Sequence, residues 1–78
     1  MNKRIDMYKS VGYRLAECRK NNGLSQSKLS DILKIPQRTY AGYELGDRRI
    51  PLDMLLEIAN YYKLSVAYFV ENSISEAV

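Results

Sequence analysis

The sequence predicts an all-α fold, a bundle of five short helices. Three observations carry that expectation. Apolar residues recur at three- and four-residue spacing, and no segment alternates as a half-buried strand does. Residues able to cap or end a helix separate the apolar stripes. The 78 residues suffice for one core and leave no room for a second.

The first helix carries Val11, Leu15 and Cys18 at i, i+4 and i+7. Asp6 or Ser10 could cap its start, and Asn21-Asn22-Gly23 ends it, because Gly and Asn tolerate the left-handed conformation common at helix ends. Ser25 is the expected N-cap of the second helix. Leu24 can pack on Leu29 as a hydrophobic staple, and Leu29, Ile32 and Leu33 form the buried stripe. Lys34-Ile35-Pro36 interrupts it, since proline disfavours a helical residue before it.

A third helix is expected from Pro36 or Gln37 to about Glu44. It turns Tyr40 with Tyr43 or Glu44 inward and Gln37, Arg38, Ala41 and Gly42 outward, and Gly46 closes it. After the loop Asp47-Arg48-Arg49-Ile50, Pro51 suits the first turn of a fourth helix with Leu55, Ile58, Ala59 and Tyr62 inside. Ser65 starts a short fifth helix, where Leu64 and Phe69 repeat the spacing of Leu24 and Leu29. The expected organisation is an N-terminal extension or start of helix 1 over 1–10, a domain over 11–70, and a short frayed tail over 71–78.

Composition narrows the function classes. One cysteine and no histidine leave no intrachain disulfide and no Cys/His zinc site, so neither metal nor cofactor is expected. With those staples missing, a small domain is expected to self-associate. A lone cysteine and the lack of a membrane-length apolar run or hydrophobic leader point to the cytoplasm, with no membrane partner. Nothing offers a nucleophile beside a base, a Gly-rich phosphate loop or a carboxylate cluster, so no enzyme is expected.

The net charge of +3 hides an asymmetry: residues 1–49 hold 11 Lys/Arg against 5 Asp/Glu, and residues 50–78 hold 1 against 4. A basic half suggests a polyanionic partner, although charge alone does not separate that from a solvated surface. Lys3, Arg4 and Lys9 could form a basic arm or remain solvated. The seven tyrosines read as core and surface cover rather than a stacking platform, since no sheet is expected to display them.

Residues 23–46 form a unit: a helix, a break of about three residues, and a second helix whose exposed first turn bears long polar side chains. A helix-turn-helix presents its recognition helix to the major groove in this way. The matching residues are Val11-Gly12, Arg19 before Asn21-Asn22-Gly23-Leu24-Ser25-Gln26, Leu29, Leu33, Gln37-Arg38-Thr39-Tyr40, Tyr43-Glu44-Leu45-Gly46, Arg48, Pro51 and 55–65. Over roughly 11–70 the sequence resembles the Cro/phage-repressor-like (XRE) helix-turn-helix family, with its lambda-repressor-like fold.

The resemblance implies a transcription regulator, expected to be a repressor, that binds double-stranded DNA in a sequence-specific way as a homodimer on an inverted repeat. Some family members are instead antitoxins, so a protein partner such as a toxin is the alternative. The implied base-reading positions are Gln37, Arg38, Ala41 and Gly42. Chemistry agrees for the first two, since glutamine can bond adenine twice and arginine can grip guanine twice. Phosphate contacts are implied for Gln26, Lys28, Thr39, Tyr43, Arg48 and Arg49, and a structural ion pair for Arg19 and Glu44. Dimerisation is expected around Val66, Phe69 and Val70.

Four residues depart from the family pattern, among them Asp47, whose negative charge beside the arginines should weaken phosphate attraction slightly. Lys34 stands where the turn commonly has glycine, so either the lysine takes a left-handed conformation at some cost or the turn differs slightly. Pro36 removes the usual side-chain cap of helix 3. Gly42 sits inside the recognition helix, at a cost of up to about 1 kcal/mol relative to alanine.

Overall fold

The computed structural model describes residues 3–77, and the side-chain environments of 7–71. Five helices stand among the described residues: α1 (Lys3–Asn21), α2 (Gln26–Leu33), α3 (Gln37–Leu45), α4 (Leu52–Tyr62) and α5 (Val66–Ala77). The long α1 is the spine, packing along both α3 and α5. Its stripe of Val11, Leu15 and Cys18 meets Leu29 and Leu33 of α2, Tyr40 and Tyr43 of α3, Leu55, Ile58 and Ala59 of α4, and Phe69 of α5. Leu24 packs at the edge of this core, as a staple requires.

The helix ends reflect local chemistry. Ser25 is the N-cap of α2, its hydroxyl accepting from the Lys28 N–H at 3.0 Å. α1 closes in a Schellman turn: Gly23 has φ +68°, the Gly23 N–H reaches the Lys20 carbonyl, and the Leu24 N–H reaches that of Arg19. Lys34 does take the left-handed conformation, at φ 60° and ψ 42°. Pro36 precedes α3 without a side-chain cap.

One turn occurs twice, a repetition that the apolar pattern does not reveal. Lys63, between α4 and α5, has φ 60° and ψ 40°, matching Lys34 between α2 and α3. The hydrogen bonds match too: Lys34 and Ile35 donate to Asp31 and Ser30, as Lys63 and Leu64 donate to Asn60 and Ala59. The helices after the two turns bury equivalently spaced residues, Tyr40 and Phe69, and differ in their first turns. Phe69 buries α5 against the core, and the Arg14 guanidinium ties α1 to it by bonding the Tyr68 carbonyl at 3.0 Å. The first turn of α3, in contrast, is open to solvent at Gln37 and Arg38.

Two expectations about the helix ends need correction. α1 begins at Lys3, so Asp6 and Ser10 lie within it and neither starts it. The stripe in fact continues backward, since Tyr8 is three residues before Val11 and is half-buried. The helix also joins the domain directly: a Cβ on Gly46 would stand 2.6 Å from Lys9 Cα, so residues 8–9 pack on the loop after α3. At the other end, α5 runs on to Ala77 through most of the expected tail.

Phe69, expected at a dimer contact, is fully enclosed within one chain, with Tyr68 edge-on to it. Its spacing from Leu64 already placed it toward the core, and the same side chain cannot also face a partner. Val66 and Val70 pack on that core and are half-buried. The side chains of Lys3 and Arg4 lie outside the described ones.

Gly12 sets how closely α1 and α3 approach. A Cβ there would lie 2.3 Å from the Glu44 carbonyl oxygen and 2.5 Å from that of Tyr43. Both obstacles are backbone, so relief requires moving a helix. Gly12→Ala is expected to lower unfolding stability by about 1–3 kcal/mol, although alanine is favoured in a helix by up to about 1 kcal/mol. Urea denaturation decides the matter, and a stabilised variant would contradict the close crossing.

Candidate nucleic-acid interface

The site is built on a buried polar node that locks α3 to α1 and α2. Arg19 Nε donates to Glu44 Oε2 at 2.6 Å and its NH2 group to Oε1 at 3.1 Å, a two-pronged ion pair. The third nitrogen, NH1, donates to the Leu24 carbonyl at 2.8 Å. Gln26, the first residue of α2, donates from Nε2 to Glu44 Oε1 at 2.9 Å. One carboxylate thus ties together the end of α1, the start of α2 and the last turn of α3. The ion-pair side chains are only 11% and 6% exposed, so the charges are shielded from water and depend on each other.

Burial alone would raise the Glu44 pKa. Hydrogen bonds from Arg19 and Gln26, with the Tyr40 hydroxyl beside the carboxylate, outweigh that and hold it below the ordinary 4.5. Burial, and then the neighbouring Glu44, push the Tyr40 hydroxyl well above the usual tyrosine range. Tyr40 is therefore a neutral wall of the node, edge-on to Tyr43 at 6.4 Å between ring centroids.

With α3 held from beneath, its first turn projects outward. Gln37 and Arg38 are exposed, while Thr39 and Ala41 are half-buried. Lys28 on α2 is exposed, and so are Arg48 and Arg49 in the loop after α3. The Arg49 guanidinium lies 6.0 Å from the centroid of the Tyr8 ring. Tyr8 falls outside the residues expected at the site, although its position on the α1 stripe is a usable signal.

Two expected contacts are displaced. Tyr43 is 7% exposed and belongs to the core beside Tyr40, because residues three apart share a helix face. A phosphate contact through its side chain is not what this placement offers. Gly42, expected on the reading surface, is buried. The Asp47-Arg48 segment folds over it, and the Arg48 N–H bonds the Gly42 carbonyl at 3.3 Å.

This geometry defines a class: a helix-turn-helix domain whose second helix is presented from a rigid five-helix body. The chain belongs to the XRE-type helix-turn-helix family; the family model described as "Helix-turn-helix" matches residues 15–69. Among curated relatives, the uncharacterized HTH-type transcriptional regulator YqaE of Bacillus subtilis is 34% identical over 64 residues, covering 82% of this chain and 55% of that protein.

The HTH-type transcriptional regulator AnsR of the same organism is 43% identical over 49 residues, covering 63% of this chain and 42% of its own. The chain thus spans about half the length of the curated relatives it matches. Its fold is similar to that of the S. venezulae BldD DNA-binding domain, at a TM-score of 0.74 and 25% identity over 83% of this chain and 97% of that one. A second structure of the BldD DNA-binding domain gives 0.75, also at 25% identity, over 90% and 99%. No helix among the described residues is long and apolar enough to cross a membrane.

The node has a measurable signature. Because the folded-state pKa of Glu44 is lowered, its stabilisation is present above pH 4.5 and fades as pH falls through the folded value. Glu44→Gln is expected to cost about 3–5 kcal/mol at pH 7, since Arg19 is left without its counter-charge. Thermal unfolding tracked from pH 7 to pH 3 should show wild type and variant converging at the acid end. A constant gap across that range would mean that the carboxylate charge is not what holds α3.

Proposed function

We propose that the chain binds double-stranded DNA in a sequence-specific way, laying α3 in the major groove, and that it regulates transcription as a repressor by occupying a promoter. The observation that carries this reading is the exposed pair Gln37 and Arg38 on the first turn of a helix fixed from below by the Arg19–Glu44–Gln26 node. Rigid presentation matters, since bidentate contacts to base edges require the fork of donors to be held in place.

Around the reading turn, Lys28, Thr39 and Arg49 supply donors and positive charge for the phosphate backbone, which sets register and affinity without sequence information. Gln26 can serve both roles. Its amide has two N–H donors, and one bond to Glu44 leaves the other for a phosphate. The transcriptional regulators among its relatives and the DNA-binding domains among its structural neighbours support this assignment. Two copies would read paired half-sites about 10–10.5 bp apart as an inverted repeat.

Selection of bound sites from a random duplex pool at near-physiological salt tests the proposal. Enrichment of an inverted repeat is expected. Arg38→Ala should relax preference at one position of each half-site by about 1–3 kcal/mol, whereas Lys28→Ala should weaken all sequences alike. Salt-sensitive binding without any enriched sequence would remove the specific-reader assignment.

A further inference from the structure

We propose that Arg48, a loop residue, reads a base pair itself, its side chain occupying the place on α3 that Gly42 leaves open. The inference rests on the reading of α3 as the helix in the groove. Gly42 is four residues after Arg38, so the two share one stripe of α3 about one turn apart. Arg38 is exposed on that stripe and Gly42 is not. Gly42 is covered chiefly by Arg48.

A Cβ at Gly42 would stand 3.0 Å from Arg48 Cβ and 3.5 Å from Arg48 Cδ, with Asp47 Oδ1 at 3.3 Å. The aliphatic stem of Arg48 therefore lies against the helix where a side chain of residue 42 would emerge. The bond from the Arg48 N–H to the Gly42 carbonyl pins the backbone beneath that stem.

The charged end remains available. Arg48 is exposed, and among the described residues no carboxylate lies within ion-pair distance of its guanidinium. Its neighbour is placed differently: the Arg49 guanidinium lies by the Tyr8 ring on α1. Arg38 and Arg48 are then consecutive arginines along one reading face, the first from the helix and the second laid onto it from the loop. A guanidinium there has the fork of donors that grips guanine O6 and N7. Glycine at 42 is what the arrangement needs, because a larger residue would lift the arginine off the helix.

The test compares sites selected from a random duplex pool by the wild-type chain, Arg38→Ala, Arg48→Ala and Gly42→Ala, each first checked for native helicity. The wild type is expected to prefer guanine at two positions of each half-site. Arg38→Ala should lose one preference and Arg48→Ala the other, each by roughly 5- to 150-fold. Gly42→Ala should relax the same position as Arg48→Ala and add nothing when the two are combined.

The inference is overturned if Arg48→Ala weakens every sequence alike while the salt slope falls by about 0.9, the mark of one lost phosphate contact. Arg38→Ala would still relax its own position in that case, and the reading of α3 would stand. A Gly42→Ala variant with unchanged preferences also overturns it. A wild type that enriches no sequence overturns both readings together.

Discussion

The rest of the structure depends on the bond between Arg19 and Glu44. Arg19 sits near the end of α1, and its guanidinium reaches three acceptors: both oxygens of Glu44 and the Leu24 carbonyl. Glu44 receives the Gln26 amide as well. The short α3 is anchored in the core through Tyr40 and Tyr43. The node supplies what packing alone does not, a directional constraint on both the depth and the rotation of the helix. A shielded ion pair adds less net stability than its distances suggest, since both charges lose water. Its value here is in selecting one orientation, because any other leaves charges buried without partners.

The close crossing at Gly12 works with that constraint. The absence of a side chain lets the α1 backbone meet the carbonyls of Tyr43 and Glu44. The ion pair then lies just beyond the point of closest approach, and α3 is gripped along its last turns while its first turn stays free. The two matching turns lead into helices with different first turns. The Lys34 and Lys63 turns share backbone angles and hydrogen bonds. Both following helices are anchored in the core, through Tyr40 and Phe69, and only the one after Lys34 has exposed polar side chains, Gln37 and Arg38, on its first turn.

Charge is arranged to match. The exposed cations Lys28, Arg38, Arg48 and Arg49 come from α2, α3 and the loop after α3. Phosphate attraction is additive over such cations and insensitive to sequence, whereas base reading needs individual forks at fixed places.

The helices, their order and most of their ends are legible in the sequence. Those features are local: Ser25 caps α2 through a bond within one turn, Gly23 and Lys34 end helices through their own backbone angles, and apolar spacing names the inward face. Arg19 and Glu44 were legible through the family pattern. Tertiary structure alone decided how faces cover one another. Periodicity puts Gly42 on the outward stripe of α3, and only the folded loop shows Arg48 lying over it. Spacing allows Tyr43 and Phe69 either a core or a surface role, and the packing of α1 against α3 and α5 encloses both. Local rules act over three or four residues, but whether a face meets water depends on segments far away in the chain.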